Sequence, residues 1–251
     1  MGILVTLVMR EFRQLMQSVH GLGPFFLSLA GANALFLFFL RRAEGTTETL
    51  PSLWGPAVAF GLPFLASVAS SRGFTPEREC GMLRLMFSTP VRTRDWILSK
   101  VLAAWLLCLV YLAAMGLLCW ILVHWQLPDG AEIPTAAAGF LPMLLMLILQ
   151  ALLWCSMGTC ISLCSRSSAA TFLLSLLSCL AIPPLVCTAV AAFDSTLMVQ
   201  WPFFPLQSAV YDSACGLLSI RLAVGCLTGS AVLLFAAGIL FDGLRLCATE
   251  R

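Results

Sequence analysis

Charge is what this sequence has least of. Of 251 residues only 10% are Asp, Glu, Lys or Arg, where a soluble domain of ordinary composition carries about a quarter. There is one lysine, Lys100, and it stands in no glycine-rich loop. That excludes a P-loop, whose phosphate cradle needs G-x-x-x-x-G-K-[ST]. Neither G-x-S-x-G nor H-E-x-x-H occurs, so the common serine-hydrolase and zinc-protease signatures are missing too. Despite 11 cysteines there is no CxxC, which removes the usual zinc and redox motifs. Alternating ten-residue apolar segments are also absent, which argues against a membrane β-barrel.

What the chain has instead is apolar length. Hydrophobic residues make up 60% of it, more than a soluble core of this size can hide, so the surrounding solvent must be lipid. Uncharged runs lie between Arg13 and Arg41, Glu48 and Arg72, Lys100 and Asp129, Glu132 and Arg166, Arg166 and Asp194, and Arg221 and Asp242. Each suffices for the roughly 20 residues that cross a bilayer as a helix. They must be helical, because lipid offers no partner for a bare backbone N–H or C=O. The expectation is an all-α polytopic membrane protein with six spans at about 22–40, 52–71, 98–123, 136–163, 169–191 and 221–244. The 21 residues ahead of the first span are too long and amphipathic for the n-region of a cleaved signal peptide.

Lys and Arg in short loops set the orientation. With the N-terminus inside, eleven of these residues are internal and only Arg41, Arg42 and Arg221 are external. Both termini are therefore expected in the cytoplasm. On this topology His20 and His124 fall on opposite sides of the membrane and cannot share a metal; His124, beside Trp125, reads as an interfacial anchor. Most cysteines fall in spans or at their inner ends, where they pack as small apolar residues. Only Cys215, and Cys187 at the end of the fifth span, are placed to meet an oxidising compartment.

Outside the spans, three segments stand out. Residues 2–20 read as an amphipathic helix along the membrane surface: Ile3, Leu4, Leu7, Val8, Phe12, Leu15, Met16 and Val19 recur at helical spacing, with Arg10, Arg13, Gln14 and Gln17 on the other face. Gly21, Gly23 and Pro24 are expected to break it before the first span. The charge-dense inner loop 72–97 predicts a short helix over 76–88, with a Thr75 N-cap, Pro76 in the first turn and Glu77 and Glu79 favouring its N-terminus. Thr93 then caps the third span, and Lys100 snorkels at its inner edge. The outer segment 192–220, with Trp201-Pro202-Phe203-Phe204-Pro205, suits an interfacial re-entrant turn. Pro183-Pro184 in the fifth span reads as well as a simple kink. The spans hold no central Asp, Glu, Lys or Arg, which a proton-coupled carrier usually needs.

Residues 74–104, from Phe-Thr-Pro-Glu-Arg-Glu-Cys-Gly-Met-Leu-Arg to Ile-Leu-Ser-Lys-Val-Leu-Ala-Ala, resemble the loop between spans two and three of ABC-2 type permeases. Glu77, Arg78, Gly81, Leu83, Pro90, Val91, Ile97 and Lys100 fall on matching positions, whereas Pro76, Met82, Arg84 and Ser99 depart from the pattern. Arg-Glu-Phe-Arg-Gln at 10–14 resembles that family's amphipathic entry helix, and 206–217 with Arg221 more loosely resembles the last outer loop of its gliding-motility-like branch. The resemblance implies one ABC-2-like domain over 1–251, with an interfacial helix at 1–21, a coupling loop at 72–97 and an outer loop at 192–220. It implies the permease subunit of an exporter in the inner membrane of a bacterium, with no nucleic-acid partner. That permease would hold no cofactor; a cytoplasmic ABC ATPase would bind the ATP, and a second permease copy or paralogue would complete the pair. By the same resemblance, Glu77, Arg78, Gly81, Leu83, Arg84, Met86, Phe87 and Pro90 dock on the ATPase, with Leu83, Met86 and Phe87 as apolar anchors. Arg10, Arg13, Lys100 and Trp201 would mark the membrane interface. A membrane-embedded enzyme, an anchoring subunit and a secondary carrier remain the alternatives.

Overall fold

The computed structural model describes residues 2–42, 50–82, 91–126, 137–193 and 205–249. Among them every regular element is a helix: α1 Ile3–Gln17, α2 Val19–Arg42, α3 Leu50–Ser71, α4 Thr75–Glu79, α5 Thr93–Gln126, α6 Ala137–Cys164, α7 Ser168–Phe193, α8 Pro205–Ala214 and α9 Ile220–Thr249. Five stretches are long and apolar enough to cross a membrane: Gly21–Arg42, Leu50–Glu79, Thr93–Ile121, Gly139–Cys164 and Ile220–Leu246. A shorter apolar stretch, Ser168–Ala181, opens α7. Six spans were expected where five meet this measure; the helix at the place of the fifth expected span, α7, runs 26 residues.

The break between α1 and α2 comes earlier than the glycines and proline suggest. Ser18 is extended, and its hydroxyl accepts the Gly21 N–H at 3.0 Å while donating to the Leu15 carbonyl at 3.1 Å. Ser18 is thus the N-cap of α2, bonding the third amide of the new helix. Gly21, Gly23 and Pro24 lie inside that helix.

The core is built around α3, most of whose residues are buried. It packs against α2, α5, α6, α7 and α8. Such close crossing needs small residues, since van der Waals contact is what holds helices together in lipid. A Cβ on Gly61 would collide with the Tyr111 hydroxyl of α5, and one on Gly158 of α6 would collide with the Ser70 side chain of α3. Gly55 meets Met143 in the same way, whereas Gly225 opens on empty space and Gly229 only touches Leu153. Of the outer segment, α8 is a helix packed on α3 and α6 with Val210 and Ser213 fully buried; Trp201 and its neighbours lie outside the described residues. Cys215 is a free, exposed thiol.

The inner loop differs from expectation. Its helix, α4, stops at Glu79 rather than residue 88, and Gly81 follows with φ +70°. A residue in that left-handed region ends a helix, and glycine adopts it without a steric penalty.

Candidate functional site

The one lysine organises the site. Lys100 lies two turns into α5, and its side chain is only 3% exposed. Its ammonium donates to Glu77 Oε1 of α4 at 2.7 Å and to Glu11 Oε2 of α1 at 3.0 Å. It also rests 5.2 Å from the ring centre of Phe74. The expectation that Lys100 snorkels towards headgroups is therefore corrected: carboxylates from two other elements reach in and hold it. A cation taken from water this far needs such partners, because the desolvation cost otherwise exceeds the Coulombic gain.

The two carboxylates are not equivalent. Burial pushes Glu11 up, but Lys100 and Arg10 together outweigh it, and its carboxyl sits below the usual value of 4.5. Burial pushes Glu77 up as well; Lys100 pulls it down less than that, and it sits above 4.5. The geometry agrees. Glu11 receives both Lys100 and, at 2.7 Å, the Arg10 guanidinium, whereas the second oxygen of Glu77 is buried without a partner. Arg10 in turn lies 5.5 Å over the Trp96 ring. A cavity of about 250 Å³ adjoins the cluster, lined by Arg72, Gln14 and Ser18 among others.

Glu11 is the residue that sequence reading misses. It hides among Arg10, Arg13 and Gln14 as one more polar side chain of an amphipathic helix. The available signal is arithmetic: Glu11 is the only acid before Glu44, in a chain with one lysine. In the structure it is buried on the face of α1 turned to α5, while Ile3, Val5 and Met9 are exposed.

The rest of α4 grips the turn between α6 and α7. Arg78 donates to the carbonyls of Leu163 and Ser165 at 3.0 and 3.2 Å, where α6 ends. Glu79 accepts the N–H of Ser168 at 3.0 Å, where α7 begins. A cation at a helix C-terminus and an anion at an N-terminus both complement the helix dipole. Thr75, expected as the N-cap, is buried instead, and its hydroxyl contacts Ser162 Oγ at 3.1 Å and Thr171 Oγ1 at 3.0 Å. The Phe74 N–H donates to Ser162 Oγ at 2.9 Å. Thr93, at the start of α5, donates to Asp242 of α9 at 2.9 Å. The loop after α3 is thereby fastened to α1, α5, α6 and α7 by short polar contacts.

Of the residues expected on the docking surface, Glu77 and Arg78 are thus committed to contacts inside the chain. Gly81 is exposed, and beside it Met82 is an apolar side chain 55% exposed. Leu83, Arg84, Met86, Phe87 and Pro90 lie outside the described residues. At the expected membrane interface, Arg10 is half exposed and Arg13 exposed.

A bundle of long apolar helices, with one polar loop fastened across the ends of four others, is the architecture of a polytopic membrane subunit. The sequence signature of the ABC-2 family transporter proteins matches residues 3–210, and the chain belongs to that family: it is a multi-pass membrane protein and a permease of the ABC transporter class. Comparison with curated proteins finds no match.

Proposed function

We propose that this chain is the permease subunit of an exporter in the cytoplasmic membrane, driven by ATP that a separate subunit binds and hydrolyses. Six helices span the bilayer in this reading, α7 being the fifth, with α1 along the inner surface and both termini in the cytoplasm. Two permeases, identical or related, form the translocation path.

The observation that carries the reading is the fastening of α4. A helix of five residues has almost no stability of its own, since nucleation is costly and propagation has no length to repay it. Its side chains nevertheless hold Lys100 in α5 and the ends of α6 and α7, and Lys100 in turn holds Glu11 in α1. A push on the exposed residues Gly81 and Met82 reaches all of them at once. That is what an ATP-driven motor in another subunit needs from the membrane subunit it moves.

The test is capture of the partner ATPase by the detergent-solubilised chain. Met82→Asp and Leu83→Asp place a charge in an apolar dock, where an unpaired buried charge costs several kcal/mol. Association should weaken by about a hundredfold or more, with membrane insertion unchanged. Normal capture by both variants would show that these residues are not the dock.

A further inference from the structure

We infer that the open cleft between the start of α5 and the last turns of α9 binds an anionic phospholipid, its phosphate at Arg92 and Arg94 and an acyl chain along the wall below. The cleft holds about 690 Å³, within the 300–1,000 Å³ typical of ligand sites. It has two chemically distinct halves. At the mouth Arg92 and Arg94 of the α5 start face Asp242, which accepts the Thr93 hydroxyl at 2.9 Å, and Arg245 completes the rim. Below them the wall is apolar, formed by Ile97 of α5 and by Phe235, Gly238 and Ile239 of α9.

The spacing fits a lipid. From Phe235 to Arg245 is ten residues of helix, about 15 Å of rise, or about half the 30 Å hydrocarbon layer. Phe235 and Ile239 belong to the membrane-crossing stretch Ile220–Leu246 and are 72% and 59% exposed. A headgroup at the arginines therefore places its chains at the depth of this wall without bending.

Charge complementarity selects the lipid over other occupants. Basic pockets between membrane helices suit anionic headgroups. Guanidinium groups pair with phosphate oxygens in a planar, bidentate way that an ammonium cannot match. A soluble partner cannot reach 15 Å below the arginines.

The experiment is native mass spectrometry of the full chain in detergent, with phosphatidylglycerol and phosphatidylcholine of matched acyl chains. The wild type should retain phosphatidylglycerol in preference by about tenfold or more. The Arg92→Gln/Arg94→Gln variant should lose that preference to within about twofold. Gly238→Phe, whose new Cβ meets nothing within 4 Å, should fill the wall and lose the lipid with all arginines intact. A photoactivatable phosphatidylglycerol should label wild-type peptide 234–245, a readout that needs no variant to fold. Equal retention of both lipids, or an unchanged preference in the arginine variant, would overturn the inference. So would retention by Gly238→Phe, labelling elsewhere, or complete displacement by millimolar inorganic phosphate, which would mean an ion site with no acyl seat. The inference rests on the multi-pass membrane reading alone. No ATPase is present in the measurement, so its failure leaves the docking proposal standing.

Discussion

Lys100 holds one buried and one partly buried carboxylate, and the unequal state of those carboxylates can be read by substitution. Lys100→Met would leave Glu77 without its cation and Glu11 with Arg10 alone; removing one partner of a buried ionic group costs about 3–5 kcal/mol, and the detergent-solubilised variant should melt well below wild type. Glu11→Gln removes the carboxylate that Lys100 and Arg10 both favour, so at pH 7 it should lower the melting temperature more than Glu77→Gln. The pH dependence has opposite signs at the two sites. Glu11, held below 4.5, contributes stability that is present above pH 4.5 and lost as the pH falls through its lower folded value. Glu77, held above 4.5, binds its proton more readily when folded, so its contribution is present below pH 4.5 and lost as the pH rises through its folded value. Glu77→Gln should therefore gain on the wild type as the pH rises from 4.5 towards neutrality. A melting-temperature difference that stays flat across that window would contradict the assignment. None of this asymmetry is legible in the sequence, where Glu77 stands out beside a proline and Glu11 does not. The distinction arises because α1 folds back on α5.

At the scale of elements, small residues decide which helices can cross. The Cβ of any replacement at Gly158 would occupy the space of the Ser70 side chain, where α6 crosses α3. Gly158→Leu should force the pair apart at about 1–3 kcal/mol or more, visible as poor yield from the membrane. Gly225→Leu, which meets nothing within 4 Å, should express normally. Gly81 separates shape from stability. At φ +70° a β-branched residue costs roughly 1–2 kcal/mol locally, yet a new Cβ there touches nothing. Gly81→Val should weaken ATPase capture while lowering the melting temperature by only a few degrees. The early end of α4 has the same cause. The charge and capping pattern supports a helix on to residue 88, but the glycine's left-handed backbone closes it after Glu79.

For the whole molecule the testable quantity is topology. Reporter fusions or cysteine labelling at residues 45, 85, 130, 167 and 205 should read out, in, out, in, out, following the eleven-to-three excess of basic residues on the inner side. Residue 85 outside would invert the arrangement and remove α4 from any cytoplasmic partner; sites 130 and 167 on the same side would remove a span. By itself the sequence determined the helical class, the membrane solvent and the position of each long helix to within a few residues. Those follow from composition and apolar run length, because lipid obliges each spanning segment to satisfy its own backbone. The loop pattern over 74–104 also pointed to the family that the signature over residues 3–210 identifies. Only the tertiary structure decided what the polar residues do. Whether Lys100 reaches lipid headgroups or two carboxylates, and whether Arg78 faces a partner or the end of α6, depends on which segments pack together. Glu11 and Lys100 are 89 positions apart, and residues that distant meet only through the packing of α1 on α5, which no local pattern encodes.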